Sequence, residues 1–209
     1  MINLTVAVWT LGPLNSFLRE NGYIAFHAGP AAWWVVALEF AVSFFLFDTW
    51  FYWFHRGMHQ DPFYRWAHKI HHKSTAPNLL TTFSEHPIET FILGSFFPAF
   101  LVLATVVQGG VHEPTLALLV PFNQFMGLYV HNGHEFLPRW WNRSWATKWF
   151  ITTTFHDQHH KYFNYNFGGY SPIWDHICGT ARKRYDADFA NRGARQPKTS
   201  EPLAVPAAR

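Results

Sequence analysis

The chain has 209 residues, a length that fits one domain, and its formal net charge is +3. Only 14% of the residues are charged and 20% are aromatic, which is too apolar for an ordinary soluble domain and predicts an integral-membrane protein. The one cysteine, Cys178, excludes a disulfide framework and a thiolate metal site. The first residues lack a basic region and a small-residue cleavage site, so no cleavable signal is expected.

Two apolar segments come first in the chain. Residues 2–18 are short and contain a Gly-Pro pair, so they are expected to span the membrane, to re-enter it or to lie in its interface. Residues 31–54 are long enough to cross the hydrocarbon core at about 1.5 Å per residue. Within them Glu39 and Asp48 are costly in lipid, so each is expected to face a bundle interior or to take part in function. Asp48 shares a helical stripe with His55, and either holds a ligand histidine or is only a bundle-facing carboxylate.

Histidines then recur in groups with the spacing of one helical face, either four residues apart or as H-x-x-H-H. A helix expected to begin at Asp61-Pro62 carries the first H-x-x-H-H in its last turn. Imidazole is the commonest metal ligand and ten rings exceed what one ion uses, so two metal ions are predicted. The ten predicted ligands are His55, His59, His68, His71, His72, His131, His134, His156, His159 and His160. His27, His112 and His176 are expected to be ordinary core residues.

The chain between the histidine groups predicts a transmembrane hairpin. Residues 88–107 and 114–130 are two apolar segments, with kinks expected at Pro98 and Pro121. Two crossings return the chain to the face it left, so all the histidine groups can meet there. Fifteen of the sixteen Lys and Arg residues follow His55, which predicts that this face is cytoplasmic.

The remaining segments are expected to lie outside the hydrocarbon core. Residues 138–149 combine four tryptophans with three cations, which suits either an amphipathic helix in the headgroup layer or a soluble cap with its tryptophans packed inward. Residues 164–180 are a Gly-rich aromatic loop expected to cover the site. Residues 181–209 are polar and predicted to be a disordered tail, which leaves residues 1–180 as the domain.

Several of these segments resemble one family. HRGMH at 55–59, HKIHH at 68–72, HDQHH at 156–160, HP.E at 86–89 and WDHICGT at 174–180 resemble the fatty acid hydroxylase and sterol desaturase superfamily of integral-membrane di-iron enzymes. The resemblance implies an all-α bundle of four transmembrane helices in two hairpins with a cytosolic histidine-rich cap. It also implies metal ligation by the ten histidines, with His86 near the site. Asp48, His86 and Asp157 are the candidates for holding ligand histidines in place.

The metal follows from the chemistry that the site would perform. Imidazole ligands suit zinc, copper, iron and nickel alike. Oxidation of an unactivated C–H bond with O2 requires a redox metal, which zinc is not, so two iron ions are predicted, with zinc able to occupy the same nitrogens in a purified sample. The sequence has no haem, flavin or nicotinamide motif, so electrons are expected from a separate reductase, ferredoxin or cytochrome.

The predicted reaction is O2-dependent hydroxylation of a long-chain lipid in the cell inner membrane or the endoplasmic reticulum. Apolar residues are expected to flank the substrate, namely Trp140, Trp141, Phe155, Phe163 and Phe167. Desaturation by the same ligand set stays open, because substrate geometry decides between the two outcomes. A membrane metal carrier is the other alternative, but residues 88–107 and 114–130 offer almost no ionisable group for a polar route. No nucleic-acid motif is present.

Overall fold

The computed structural model describes residues 10–191, and helices dominate this part of the chain. The helices are α1 (Gly12–Glu20), α2 (Trp33–Met58), α3 (Pro87–Gly94), α4 (Phe96–Gln108), α5 (Glu113–Val130), α6 (Thr153–Tyr162), α7 (Ile173–Ile177) and α8 (Tyr185–Ala190). Two short strands, β1 (Phe26–His27) and β2 (Val111–His112), pair in parallel. The helical class is confirmed. The first half of the predicted segment 2–18 lies outside the described residues, and its second half is α1.

Helix α2 exposes apolar side chains and buries polar ones, the reverse of an amphipathic helix on the surface of a soluble protein. Large apolar side chains lie on its outer face, and Trp33, at 81% exposed, is an example. Glu39, Asp48 and His55 are buried on its inner face. An apolar outer face and a polar inner face are favourable when lipid, not water, surrounds the helix. At about 1.5 Å per residue its 26 residues extend about 39 Å, enough to cross a hydrocarbon core.

Helices α3 and α4 together form the second segment long and apolar enough to cross a membrane, Pro87–Gln108. The two helices meet at Ser95, because Pro98 has no N–H to donate to the carbonyl of residue 94, and this break corresponds to the kink expected at Pro98. Only 22% of the residues in the apolar window of α2 and 28% in that of Pro87–Gln108 are buried, whereas the core helix of a soluble protein is mostly buried.

Helix α5 returns the chain towards the histidines but does not satisfy the same criterion. It continues through Pro121, and Asn123 and Gln124 lower its apolar content in the middle. Within residues 10–191, two segments therefore have the length and composition of a membrane span, and the count of four crossings stays a prediction. Glu39 on α2 lies beside the start of α5. Its carboxylate accepts hydrogen bonds from Gln108 at 2.7 Å and from His112 at 2.9 Å. This buried carboxylate ties α2 to the turn between α4 and α5.

The histidine-rich part of the chain is less regular than expected. Instead of an α-helix from Asp61-Pro62, a π-helical turn, Tyr64–His68, is followed by a 3-10 turn, His71–Lys73. The Lys69 N–H donates to the Tyr64 carbonyl at 2.8 Å, the five-residue hydrogen bond of a π-helix. Along this irregular segment, His71 points to a different histidine group from His68 and His72.

Two predictions for the C-terminal half also need correction. Residues 138–149 contain only one short 3-10 turn, Trp141–Arg143, instead of an amphipathic helix, although Trp145 is 82% exposed. Residues 181–191 do not belong to a tail, because α8 packs against α6. Phe189 is fully buried, and Gln158 donates to Asp188 at 3.0 Å. Residues 192–209 lie outside the described range.

Candidate metal centre

Nine of the ten predicted ligands form two compact groups. The first group is His55, His59, His68, His72 and His159, and the second group is His71, His131, His156 and His160. In each group the candidate ligand atoms all lie within 4.8 Å of one another. Eight of the nine rings are buried and His59 is half-buried. Each group is therefore compact enough to surround one ion.

The H-x-x-H-H motif connects the two groups in a regular way. In each copy the first and last histidines, four residues apart, join one group, and the histidine between them joins the other. His68 and His72 belong to the first group while His71 belongs to the second. On α6 the assignment is reversed, because His156 and His160 belong to the second group and only His159 to the first. Each motif thus supplies both groups.

Three helices position histidines of the two groups, two of them at their C-terminal ends and the third, α6, from its first turn onward. The last turn of α2 carries His55, and His59 is the residue that ends this helix. His131 occupies the same terminal position on α5. Helix α6 begins at a cap in which the Thr152 hydroxyl accepts from the Phe155 N–H at 3.1 Å, and this cap fixes the start of HDQHH. Helices α2, α5 and α6 therefore bring their histidines to one place.

Hydrogen bonds at Nδ1 orient most of the rings. Nδ1–H donates to a backbone carbonyl in His55 (Phe167, 2.9 Å), His71 (Ser84, 3.3 Å), His131 (Gly127, 2.8 Å), His159 (Tyr165, 2.7 Å) and His160 (Ser74, 2.9 Å). Nδ1 of His68 instead contacts the Glu89 carboxylate. A ring that donates through Nδ1 keeps a lone pair on Nε2, so these contacts select Nε2 as the ligand atom.

The Nε2 atoms approach one another as the ligands of an ion would. In the first group, Nε2 of His72 lies 3.0 Å from that of His68 and 3.1 Å from that of His159. In the second group, Nε2 of His131 lies 3.0 Å from that of His156 and 3.3 Å from that of His160. Two nitrogens bound at about 2.1 Å to one ion lie about 3.0 to 3.4 Å apart in octahedral or tetrahedral geometry. The donor set fits a metal ion in each group, and a cation removes the repulsion between facing lone pairs.

The protonation state of the rings also suits metal binding. Burial, followed by the neighbouring histidines, lowers the pKa of His71, His72, His156 and His159 well below the usual range. Burial lowers the pKa of His160 to about 3. Because burial penalises the charged form of an imidazole, these rings are neutral at pH 7 and their lone pairs are available.

His134 lies apart from both groups, and its side chain is exposed. Helix α5 ends at Val130, and the chain then turns at Gly133, whose φ of +79° is in the left-handed region. A Cβ at this glycine would lie 2.9 Å from the Pro77 carbonyl oxygen, so a larger residue does not fit. The three-residue spacing between His131 and His134 is therefore not helical, which is why it does not bring the two rings together.

The three residues predicted to support the ligands have other contacts. The Asp48 carboxylate accepts from the N–H groups of Tyr170 at 2.8 Å and Ser171 at 2.9 Å, so it holds the loop at 170–171 instead of a histidine. His86 caps α3 by accepting from the Ile88 N–H at 3.3 Å. Asp157 lines a separate cavity together with His134 and Glu135, and burial with the Glu135 charge nearby raises its pKa to about 6.

Two other carboxylates support the ligand histidines. Glu89 is the third residue of α3 in a capping box, and besides contacting His68 it accepts from the His86 N–H at 3.1 Å. Asp175 accepts from the Phe167 N–H at 2.8 Å and so fixes the carbonyl that receives His55 Nδ1. Both residues lie within sequence motifs, HP.E and WDHICGT, and capping-box spacing in HP.E is a signal that identifies Glu89.

An apolar cavity of about 550 Å³ adjoins both groups. The rings of His55, His68, His71, His131 and His156 form one wall. Side chains from α2, α3, α4 and α5 form much of the remainder, including Phe47, Phe51, Leu93, Phe97 and Met126. The five aromatic residues expected to flank the substrate do not line this cavity. Two of them cover the rings from another side, because Phe163 lies 4.9 Å from His72 and Phe167 lies 5.0 Å from His59, centroid to centroid.

Comparison with known proteins places the chain in a family. The family model for fatty acid hydroxylase matches residues 40–180, which include every histidine of both groups. The chain therefore belongs to the fatty acid hydroxylase family, as the histidine motifs predicted. No solved structure matches it.

The curated relatives act in sterol oxidation according to their names. The chain is 33% identical to methylsterol monooxygenase erg25A of Aspergillus fumigatus, over 75% of this chain and 52% of that protein. It is 36% identical to the C-4 methylsterol oxidase of Candida albicans, over 68% of this chain and 46% of the relative. A Delta(7)-sterol 5(6)-desaturase of Leptosphaeria maculans is 28% identical, over 90% of this chain and 50% of the relative. The chain spans about half the length of these relatives.

Proposed function

We propose that the protein is an O2-dependent lipid oxygenase that hydroxylates a C–H bond with two iron ions, one held by each histidine group. The observation that supports this best is the position of the apolar cavity, which has five ligand rings from both groups in its wall. A volume of about 550 Å³ is within the range of pockets that enclose small molecules. The cavity thus brings an apolar substrate directly against the metal centre.

Iron bound in both groups supplies the redox chemistry that reduces O2 and removes hydrogen from an unactivated carbon. The protein's own residues hold the rings, shape the cavity and exclude water. Carbonyl acceptors such as those of Ser84 and Gly127 lock the ring orientations before a metal binds. Phe47, Phe97 and Met126 offer water no hydrogen-bond partner in their side chains beyond the weak thioether sulfur, so they help to keep the cavity dry. Their shape also selects which carbon of the lipid faces the rings.

A sterol or a related lipid is the proposed substrate class. The names of the relatives support it, and so does a cavity walled by helices that expose apolar residues to the surroundings. Desaturation is the second candidate, because a sterol desaturase is among the relatives. Electrons are proposed to come from a separate ferredoxin, cytochrome or reductase.

The proposed topology has the histidines on the cytoplasmic side of four membrane crossings. Helices α2 and α3–α4 supply two crossings, α5 a third, and the segment that includes α1 the fourth. To test it, single cysteines are introduced at Lys183 and Val107 in a Cys178→Ser background and labelled in sealed membranes. Lys183→Cys is expected to react only from the cytoplasmic side and Val107→Cys only from the opposite side. Reaction of both from one side would contradict this topology.

Comparison of lipid extracts tests the reaction. Cells that express the protein, cells that express His71→Ala and cells without it are grown under ¹⁸O2, and their lipids are compared by mass spectrometry. One ¹⁸O atom added to a lipid only with the unaltered protein supports hydroxylation. Loss of two hydrogens would replace hydroxylation by desaturation, and the absence of any O2-dependent change would overturn both.

A further inference from the structure

A carboxyl group that takes no part in holding the histidines lies in the apolar cavity. Glu85 lines this cavity together with His71 and Glu89. Its Oε2 accepts from the Thr90 hydroxyl at 3.4 Å, near the outer limit of a hydrogen bond. Among residues 10–191, no hydrogen bond is made to Oε1. Glu85 is half-buried, so this oxygen is open to a partner that enters the cavity.

The backbone on both sides of Glu85 is attached to the metal centre. Ser84, the preceding residue, accepts from His71 of the second group at 3.3 Å. Glu89, four residues later, contacts His68 of the first group. Since consecutive Cα atoms are about 3.8 Å apart, Glu85 cannot move far from either attachment. Its side chain therefore lies at the metal end of the cavity.

The other carboxylate in this part of the cavity is already fully used. Both oxygens of Glu89 have partners, Oε1 in His68 and Oε2 in the His86 N–H. Thr82 likewise donates to the Gly127 carbonyl at 3.1 Å. Glu85 thus differs from these neighbours in having an oxygen that makes no hydrogen bond.

We infer that Glu85 is a specificity-determining residue that hydrogen-bonds an oxygen already present on the lipid, a hydroxyl or keto oxygen. This inference rests on the proposed oxygenase function and deepens it. It places the polar end of the lipid near Glu85 and His71 and the hydrocarbon part against the apolar lining of the cavity.

The chemistry of a carboxyl group suits this role. Burial, followed by the nearby Glu89 charge, raises the pKa of Glu85 to about 8. The carboxylate accepts from a lipid hydroxyl, and the protonated carboxyl can also donate its O–H to a hydroxyl or keto oxygen.

Binding of two matched sterols tests the inference. The metal-loaded protein in detergent is titrated with a radiolabelled 4-methylsterol and with the same compound whose hydroxyl is replaced by hydrogen. The unaltered protein is expected to bind the hydroxyl compound about tenfold more tightly, the effect of one buried hydrogen bond. Glu85→Leu should remove this preference and leave the affinity for the deoxy compound within about twofold, because the substitution removes only the polar contact. Glu85→Gln, which keeps an N–H donor, should retain part of the preference.

A cavity variant without a polar change serves as the control. Leu93→Ala should weaken the binding of both compounds alike, because it removes apolar contact only. Glu85→Ala gives a second apolar replacement if Glu85→Leu does not accumulate in membranes. Equal binding of the two sterols by the unaltered protein, or an unchanged preference in Glu85→Leu or Glu85→Ala, would overturn the inference. If no lipid is oxidised in cells, the oxygenase proposal fails, yet the binding preference still decides the role of Glu85.

Discussion

The two histidine groups share their ring chemistry but differ in charge and in position. The first group has five rings, and one of them, His68, contacts the Glu89 carboxylate. The second group has four rings, and the Nδ1–H donors of His71, His131 and His160 all reach backbone carbonyls. A carboxylate makes the ligand that it touches more basic and adds negative charge near the ion. We therefore expect the first group to hold its ion more tightly.

The cavity shows the same asymmetry from the substrate side. Three rings of the second group form part of the cavity wall, namely His71, His131 and His156, compared with two of the first group. Four nitrogen ligands also leave more of an ion's coordination sphere open than five do. The comparison indicates that strong metal retention is concentrated in the first group and substrate approach in the second.

The largest expected effect is on activity when one ligand is removed from either group. His131→Ala and His159→Ala should each lower lipid oxidation by at least about a hundredfold, because the proposed reaction requires both ions. The metal content measured by mass spectrometry should fall below two ions per chain. Both variants should still insert in the membrane, because the apolar outer faces of α2 and α3–α4 drive insertion and neither substitution alters them. Full activity in either variant would contradict the assignment of that group.

Glu89→Gln tests the difference between the groups directly. The amide keeps the shape of the side chain but removes its negative charge, so the metal affinity of the first group should fall by about 10-fold to 100-fold. Titration of the metal-free protein with iron or zinc should show one weakened site and one unchanged site. Equal weakening of both sites would contradict the asymmetry, and no weakening would mean that the carboxylate does not support the site.

A smaller effect is expected where a carboxylate holds a loop instead of a ring. Asp48→Asn removes the charge that accepts from the N–H groups of Tyr170 and Ser171, and the cost should be about 1–3 kcal/mol of stability. The midpoint of thermal unfolding in detergent should therefore fall while two ions remain bound. Loss of an ion in this variant would show that Asp48 supports a ligand after all.

The smallest effect is expected at His134. Its side chain is exposed and outside both groups, so His134→Ala should change stability by less than about 0.5 kcal/mol and leave two ions bound. Metal analysis and thermal unfolding of this variant, run beside His131→Ala, separate the two histidines of HNGH. A loss of metal in His134→Ala would instead return this residue to the ligand set.

The comparison also shows which parts of the centre were predictable from the sequence. Spacing on a helical face identified the nine clustered histidines, because i and i+4 side chains lie together on most helical backbones. The same rule misplaced His134, since it assumes that the helix continues past Val130, and Gly133 turns the chain there. It also could not show that HKIHH adopts π and 3-10 turns, because those depend on contacts with other parts of the chain.

The supporting carboxylates and the cavity were harder to predict for a related reason. Asp48 and Asp157 lie near ligand histidines in sequence, but Asp48 bonds to a loop more than 120 residues away. Glu89 reaches His68 only because a capping box starts α3 beside the π-helical turn. Much of the cavity wall comes from four helices, and no local motif describes how these helices pack. For this reason the aromatic residues close to the histidines in sequence are not the ones that line the cavity.

The division of each H-x-x-H-H between the two groups has a consequence for how the protein acquires its metal. An ion bound by His68 and His72 also fixes the backbone that carries His71, and an ion bound by His156 and His160 fixes the backbone that carries His159. Occupation of one group thus removes part of the ordering cost of filling the other, which is positive cooperativity. During loading, native mass spectrometry should therefore show fewer chains with a single ion than two independent sites of unequal affinity would give.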